Sequence, residues 1–306
     1  MPHLVIGSTG HVGSALIEEL SDRGRHVIAM SRHGGHSGSD GVEHVRGDVD
    51  DISTMRHLLR RVDTVFILNP VVPDELTRAI LVLDLCAEAN LRGIVYLSMI
   101  NADRFDDVPH AASKAAAERA IARLDLPATI LRPNYFFQND AAHRREILEN
   151  GVYPIPIGSA GVTMVDVGDI AAIAAVELIR REEASSPQAA ETIEVVGPDC
   201  FTGSDMAALW SEVLGQPVGY GGDDVGKFEE TLARAVPSHV AYDTALMFRA
   251  FHRDGMRGAP DAAAGLEARL GRPLRRYRDF AEDTAAEWRR PLVSRLVDAV
   301  MPAGDR

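Results

Sequence analysis

"HLVIGSTGHVGSAL", residues 3–16, is the stretch that decides the fold. Residues 3–6 read as a short buried strand, and residues 11–23 place Val12, Leu16 and Leu20 on one helical stripe. Gly7, Gly10 and Gly13 fall between the two. At this spacing Gly7 permits the tight strand-to-helix turn, Gly10 lets backbone approach a pyrophosphate, and Gly13 lets the helix pack close to the strand. The helix start then offers free N–H groups and the positive end of its dipole. Ser8, Thr9, His11 and Val12 complete the predicted dinucleotide cradle.

Outward from this turn, short apolar runs alternate with helix-length segments. Strands are predicted at 26–30, 43–46, 64–68, 93–97, 128–132 and 192–196, and helices at 51–61, 74–90, 110–124 and 168–181. Continuous apolar strands separated by helices imply a parallel sheet covered on both faces. The fold class is therefore α/β, a doubly wound (Rossmann) sheet, with ligands expected at the carboxyl ends of its strands. After residue 133 the pattern changes. Residues 150–161 are rich in Gly and Pro and read as loop, the chain beyond about 198 reads as mostly helical, and 260–288 suggests two helices split near Gly271–Pro273. The expected division is 1–133 plus 166–197 as a dinucleotide-binding domain. The expected smaller, mostly helical substrate-binding lobe is 134–165 plus 198–306. "HGGHSGSDG" (33–41) reads as a flexible loop.

The 306 residues are 46% hydrophobic and 25% charged, as in an ordinary globular protein, with a net charge of −13. A surface this acidic is poorly suited to gripping phosphate backbones, so no direct nucleic-acid binding is expected. Two cysteines, Cys86 and Cys200, form no CxxC and suit a reducing cytoplasm. The first residues read as a strand and not as a signal peptide, and no apolar run reaches membrane-spanning length. No metal site is expected, since His33 and His36 lack a third ligand.

The end of the second strand should read the adenosine ribose, and an acid there would select NAD. Ser31 and Arg32 stand there instead. A guanidinium can pair with a 2′-phosphate, which predicts NADP(H) over NAD(H). Asp48 and Val49, after the third strand, are placed beside the adenine, while Asp50 and Asp51 read as helix caps. Asn69 and Pro70, after the fourth strand, should pass beside the cofactor.

"GSTGHVG" (7–13), "RGDVDD" (46–51), "YLSMIN" (96–101), "HAASKAAAERAI" (110–121) and "TILRPNYFFQN" (129–139) occur in an order that resembles the atypical short-chain dehydrogenase/reductases, and most closely the NmrA-like family of NADPH sensors and quinone-reductase-like enzymes. The resemblance implies that Ser98 is the active-site Ser, that Lys114 holds the nicotinamide ribose, and that Pro133 passes the nicotinamide. His110 stands where catalytic short-chain enzymes carry a Tyr. The candidate catalytic residues are thus Lys114, Ser98 and His110, with Lys114 expected to matter more than His110. His110 and Lys114, four apart, share one helix face. A second positive charge on His110 would be opposed by Lys114. Restoring a Tyr at 110 is expected to create or raise carbonyl reduction. Met99, Tyr135, Phe136 and Phe137 are expected to wall a flat substrate pocket.

These readings predict an NADP(H)-dependent oxidoreductase acting on a small aromatic or quinonoid substrate. The alternatives are a non-catalytic NADP(H)-binding sensor that acts through a protein partner, and a biosynthetic enzyme of the same fold with non-standard chemistry. A homodimer or a regulatory partner is compatible with each.

Overall fold

The computed structural model describes residues 1–34 and 40–290. Part of the loop expected over 33–41, including His36, and the last residues of the expected lobe, 291–306, lie outside the described residues. The strands are β1 His3–Ile6, β2 Val27–Ser31, β3 Val42–Arg46, β4 Thr64–Ile67, β5 Gly93–Leu97, β6 Ala128–Pro133, β7 Val152–Tyr153, β8 Glu191–Val195 and β9 Gly219–Tyr220. The helices of the first part are α1 His11–Asp22, α2 Ile52–Leu59, α3 Glu75–Ala89, α4 Pro109–Arg123, α5 Gln138–Ala141 and α6 Val167–Glu183. Then follow α7 Gly203–Leu214, α8 Val225–Leu232, α9 Ser238–Asp254, α10 Ala262–Leu270 and α11 Tyr277–Arg289.

Seven strands form one parallel sheet in the order β3-β2-β1-β4-β5-β6-β8, while β7 and β9 pair separately. The chain winds outward from β1 to β3 and then, from β4, in the opposite direction. The crevice of such a sheet opens where the direction reverses, between the carboxyl ends of β1 and β4. Side chains alternate across the sheet. Val5, Phe66 and Val95 face the core beneath α1 and α6, while Leu4, Ile6, Val65 and Ile67 face the core beneath α2 and α3. The predicted strands and helices agree with those found to within two residues at each end. Two-residue pairing of β7 with β9, inside and beyond the stretch expected as loop, escapes any periodicity because two residues display none.

The glycine turn follows its local logic. Gly7 has φ +81°, a conformation costly for any residue with a Cβ. A Cβ at Gly13 would stand 2.1 Å from the Gly7 carbonyl oxygen, so the close packing of α1 on the turn needs glycine there.

The helical C-terminal region is pinned to the sheet by buried polar contacts. Asn134, just after β6, donates to the Thr163 hydroxyl and to the Met256 carbonyl, each at 2.7 Å. The buried Asp169 near the start of α6 accepts from the Arg275 backbone at 2.7 Å and pairs with the guanidinium groups of Arg272 and Arg275. Asp140 of α5 is fully buried and accepts hydroxyl bonds from Tyr135, Tyr153 and Tyr277. Phe137, expected in the substrate pocket, lies in this core instead, edge-on to Tyr277 and against Phe280. The chain turns into α5 at that point, which swings residue 137 inward.

Candidate active site

Two cavities meet above the sheet. The first lies at the β1–β4 crevice and is lined by Gly7, Thr9, Gly10, Ser31, Arg32, Asp48, Val49, Asn69 and Pro70 among the expected cofactor residues. The second, of about 320 Å3, is lined by Ser98, Met99, His110, Lys114, Pro133, Tyr135 and Phe136. Leu68, Asn69 and Val71 border both. Helix α9 closes the second cavity with Val240, Asp243, Thr244, Met247 and Phe251, none of which the sequence reading singled out.

Not every expected cradle residue has its side chain in the first cavity. Ser8 is buried and donates its hydroxyl to the Met30 carbonyl at 2.8 Å, Val12 is packed in the core, and Gly13 serves the packing of α1. His11 is exposed and does not line the cavity. Arg32 has no hydrogen-bond or ion-pair partner among the described residues and stands at the rim with His33. Arg78, unforeseen, also lines this cavity, but its guanidinium is shared among Asp48, Asp50 and Asp74.

Asn69 is buried, yet neither its amide nitrogen nor its amide oxygen has a partner among the described residues. An unmade buried polar group costs about 1–3 kcal/mol. Its place at the border of the two cavities is where a dinucleotide running from the glycine turn into the second cavity would pass. With no acid in the first turn of α1 and no side chain capping it, the helix start also leaves its N–H groups unclaimed by side chains. The residues present therefore fit a dinucleotide.

His110 and Lys114, which line the second cavity, belong to a charge cluster that sequence spacing half-revealed. Helix α4 begins with Pro109, whose fixed φ suits a first helical position. His110 and Lys114 follow on one face, one turn apart. Between them lies the carboxylate of Glu75, the first residue of α3. The His110 Nδ1 is 2.7 Å from Glu75 Oε2, and Lys114 Nζ is 3.0 Å from Oε1. Oε1 makes no aligned hydrogen bond, so the Lys114 contact is an ion pair. Burial pushes the Glu75 pKa up, but the hydrogen bond from His110 and the charge of Lys114 outweigh it and hold the carboxyl below its usual range. The ionised oxygen is an acceptor, so Nδ1 carries the hydrogen. Glu75 also answers the repulsion expected between Lys114 and a charged His110, since it places a negative charge between them.

Lys114 is nearly fully buried and also donates to the Leu97 carbonyl at 3.0 Å. An ammonium has three donors, so with one on Leu97 and another facing Glu75 in the ion pair, one is left for a ligand. Ser98 lines the cavity, but its hydroxyl donates to Glu118, which Arg132 holds in turn. With its proton committed, the Ser98 oxygen is placed to accept and not to donate. Asp243 of α9 accepts the His110 backbone N–H at 3.1 Å, capping α4 from the C-terminal region and tethering α9 over the cavity. Among the described residues no group of three His, Cys, Asp or Glu side chains is arranged to hold a metal. Nor is any described helix long and apolar enough to cross a membrane.

A doubly wound sheet with a glycine turn after β1, a Ser after β5 and a Lys on the following helix defines an atypical short-chain dehydrogenase/reductase. Residues 3–282 match the NmrA-like family, and the chain belongs to it. It is 25% identical over 287 residues to an NAD(P)H azoreductase of Xenophilus azovorans, covering 92% of this chain and 98% of that one. It is 29% identical over 290 residues to a (4-alkanoyl-5-oxo-2,5-dihydrofuran-3-yl)methyl phosphate reductase of Streptomyces griseus, covering 92% and 97%. Among solved structures, the NADPH complex of an NADPH-dependent quinone oxidoreductase from Escherichia coli superposes with a TM-score of 0.79 at 21% identity, covering 92% of this chain and 99% of that one.

Proposed function

We propose that the protein is an NADP(H)-dependent reductase of a small, flat, aromatic or quinonoid substrate. The observation that carries this reading is the junction at Asn69, where the groove leading from the glycine turn opens into an apolar cavity holding His110 and Lys114. The relatives named as reductases support the reaction class. Arg32, free at the end of β2, favours the phosphorylated cofactor.

When bound, the reduced nicotinamide supplies a hydride. The chain's own residues do the rest. Gly7 and Gly10 give backbone access for the pyrophosphate, Asn69 takes the hydrogen bonds its amide lacks, and Lys114 offers its remaining donor to the ribose. Tyr135, Phe136, Met99 and Met247 form walls that seat a flat ring and exclude water. His110, in the place of the usual Tyr, presents the one imidazole at the cavity among the described residues. In this reading 1–133 with 166–197 holds the cofactor, and the C-terminal region, chiefly α9, selects the substrate. The two unpaired cysteines suit a cytoplasmic enzyme.

The test is NADPH oxidation followed spectrophotometrically across quinones, azo dyes and aldehydes. Turnover with quinones or dyes and little with simple aldehydes is expected. Tight NADPH binding with no turnover on any of them would replace the enzyme by a sensor.

A further inference from the structure

We propose that Glu75 is a positioning residue, whose carboxylate holds the His110 imidazole with its hydrogen on Nδ1 and so leaves Nε2 to protonate the reduced substrate. The inference rests on the reductase reading and adds the source of the proton, which the missing Tyr leaves open.

The geometry supports each part. Glu75 Oε2 is 2.7 Å from His110 Nδ1, and the carboxylate is buried while the imidazole reaches the cavity. Among the described residues no protein group hydrogen-bonds Nε2. The His110 backbone is fixed as well, because Asp243 receives its N–H. A ring held at one nitrogen and at its backbone has little freedom left, and its other nitrogen is directed by exclusion toward open space. A carboxylate on one nitrogen of an imidazole that works through the other is a recurrent arrangement for proton transfer, since it selects the tautomer and favours the imidazolium.

The step balances. A carbonyl carbon, or a ring carbon or oxygen of a quinone, would accept two electrons as hydride from reduced nicotinamide dinucleotide, leaving an oxyanion. The imidazolium Nε2–H bond breaks and an O–H bond forms, giving hydroxyl product and neutral imidazole that keeps its Nδ1–H on Glu75. Water then restores the proton. The path for that water is a further cavity of about 300 Å3 on the far side of His110, lined by Glu75, His110, Ser113, His239 and Tyr242. The two cavities share Val71, His110, Val240 and Asp243, so the imidazole stands in the partition between them.

Among the described residues, the charged and titratable groups around the ring are Glu75 from α3, Lys114 on its own helix, and Asp243, His239 and Tyr242 from α9. Lys114 brings a positive charge near the ring, and Glu75, in direct contact with it, a negative one. Asp243 is engaged by the backbone N–H, and His239 faces the far cavity.

The full-length chain is tested as wild type, Glu75→Gln, Glu75→Asp, His110→Ala and Glu75→Gln/His110→Ala, using NADPH and a simple benzoquinone. Two readouts are taken. Long-range 1H–15N spectra of His110 report which ring nitrogen carries the hydrogen, with no turnover needed. The pH profile of kcat reports the proton donor. In wild type the hydrogen is expected on Nδ1. Glu75→Gln should lose that preference, lower kcat by ~10–100-fold and move the alkaline fall of kcat to lower pH, with KM for NADPH within about twofold. Glu75→Asp should recover part of the profile. In the His110→Ala background, Glu75→Gln should change kcat no further. An unchanged tautomer in Glu75→Gln would overturn the proposal, as would an equal loss of kcat with and without His110, which would place the effect on Lys114 or on folding. If the wild type turns over nothing, the reductase reading fails, and the spectra alone still decide whether Glu75 sets the imidazole.

Discussion

The Tyr135 hydroxyl, on a residue that lines the substrate cavity, donates to the Asp140 carboxylate at 3.0 Å and so joins that cavity to a buried cluster. Tyr153 and Tyr277 donate to the other oxygen of Asp140 at 3.0 and 2.6 Å, and Trp210 donates to the Tyr277 hydroxyl at 3.1 Å. These residues come from the segment after β6, from β7 and from α7 and α11. A single carboxylate thereby ties the cavity wall to the C-terminal region.

Complete burial pushes the Asp140 pKa up to about 6, even though the three tyrosine hydroxyls pull it down. The sign of the pH effect follows from linkage. The folded state holds the Asp140 proton more tightly than the unfolded state, so this group favours folding most at pH below its ordinary value of 3.8 and progressively less as pH rises to about 6. A shift of that size corresponds to roughly 3 kcal/mol at neutral pH. Asp140→Asn cannot ionise. Its stability relative to wild type should therefore improve as pH rises from 4 to 7. Urea unfolding of both proteins across that range checks this, and a constant difference would show that Asp140 does not titrate there. Asp140→Ala, which strands three hydroxyls, should be about 2–4 kcal/mol less stable than Asp140→Asn at any of these pH values.

Gly10 and Gly13 should behave differently despite sharing one turn. A Cβ at Gly10 would meet nothing closer than the Gly7 oxygen at 3.5 Å, and its φ of −81° suits any residue. Gly10→Val should fold and lose NADPH affinity, because its methyl groups occupy the path of the pyrophosphate. Gly13→Val should fail to fold stably, because its Cβ collides with backbone at 2.1 Å. Thermal melts with and without NADPH separate the two outcomes. Retained NADPH affinity in folded Gly10→Val would move the cofactor site elsewhere.

Arg32→Ala should weaken NADPH binding by ~10–100-fold, the loss of a charged two-pronged contact, and leave NADH binding almost unchanged. Calorimetric titration of both cofactors measures it. Equal affinity of the wild type for NADPH and NADH would show that Arg32 reads no phosphate.

Asn69 predicts a trade between stability and binding. Asn69→Leu removes two unpartnered buried polar atoms and keeps most of the volume, so the protein without cofactor should gain about 1 kcal/mol or more, and its melting temperature should rise by a few degrees. The same change should weaken NADPH binding by ~10-fold. A fall in both would mean that Asn69 is satisfied by water in the free protein.

How far the sequence reaches depends on the range of each contact. The glycine turn is local, because Gly7, Gly10 and Gly13 answer to one strand and one helix, and its geometry follows from spacing. His110 and Lys114 are also local, set by one helical turn. Glu75 is not. Before the fold is known it is an acid in the first turn of a helix, where the dipole favours one anyway. Only the docking of α3 against α4 brings it between two residues 35 and 39 positions away. Asp140, in "QND", likewise reads as a polar turn residue until Tyr153 and Tyr277 arrive to bury it. The α9 residues that close the cavity carry no signal at all, since Val240, Met247 and Phe251 at helical spacing are what any packed helix shows.

His110→Tyr restores the side chain that catalytic short-chain enzymes carry at this position. The resemblance to short-chain enzymes suggests that restoring the phenol should create carbonyl reduction, with Lys114 acidifying it. Glu75 changes that expectation. Its carboxylate faces the residue at position 110 and already neutralises Lys114 at 3.0 Å. A phenol placed there has an anionic acceptor beside it, which draws its hydrogen away from substrate and disfavours the phenolate. The single variant should therefore show no gain in aldehyde reduction. In His110→Tyr/Glu75→Gln the acceptor charge is gone and Lys114 is released to face the phenol, so aldehyde reduction should rise by ~10-fold or more over either single variant. Aldehyde-dependent NADPH oxidation by the four proteins gives the comparison, with NADPH affinity measured in each to exclude loss of cofactor. High activity in His110→Tyr alone would mean that Glu75 does not reach the phenol and that Ser98 and Lys114 suffice to orient it.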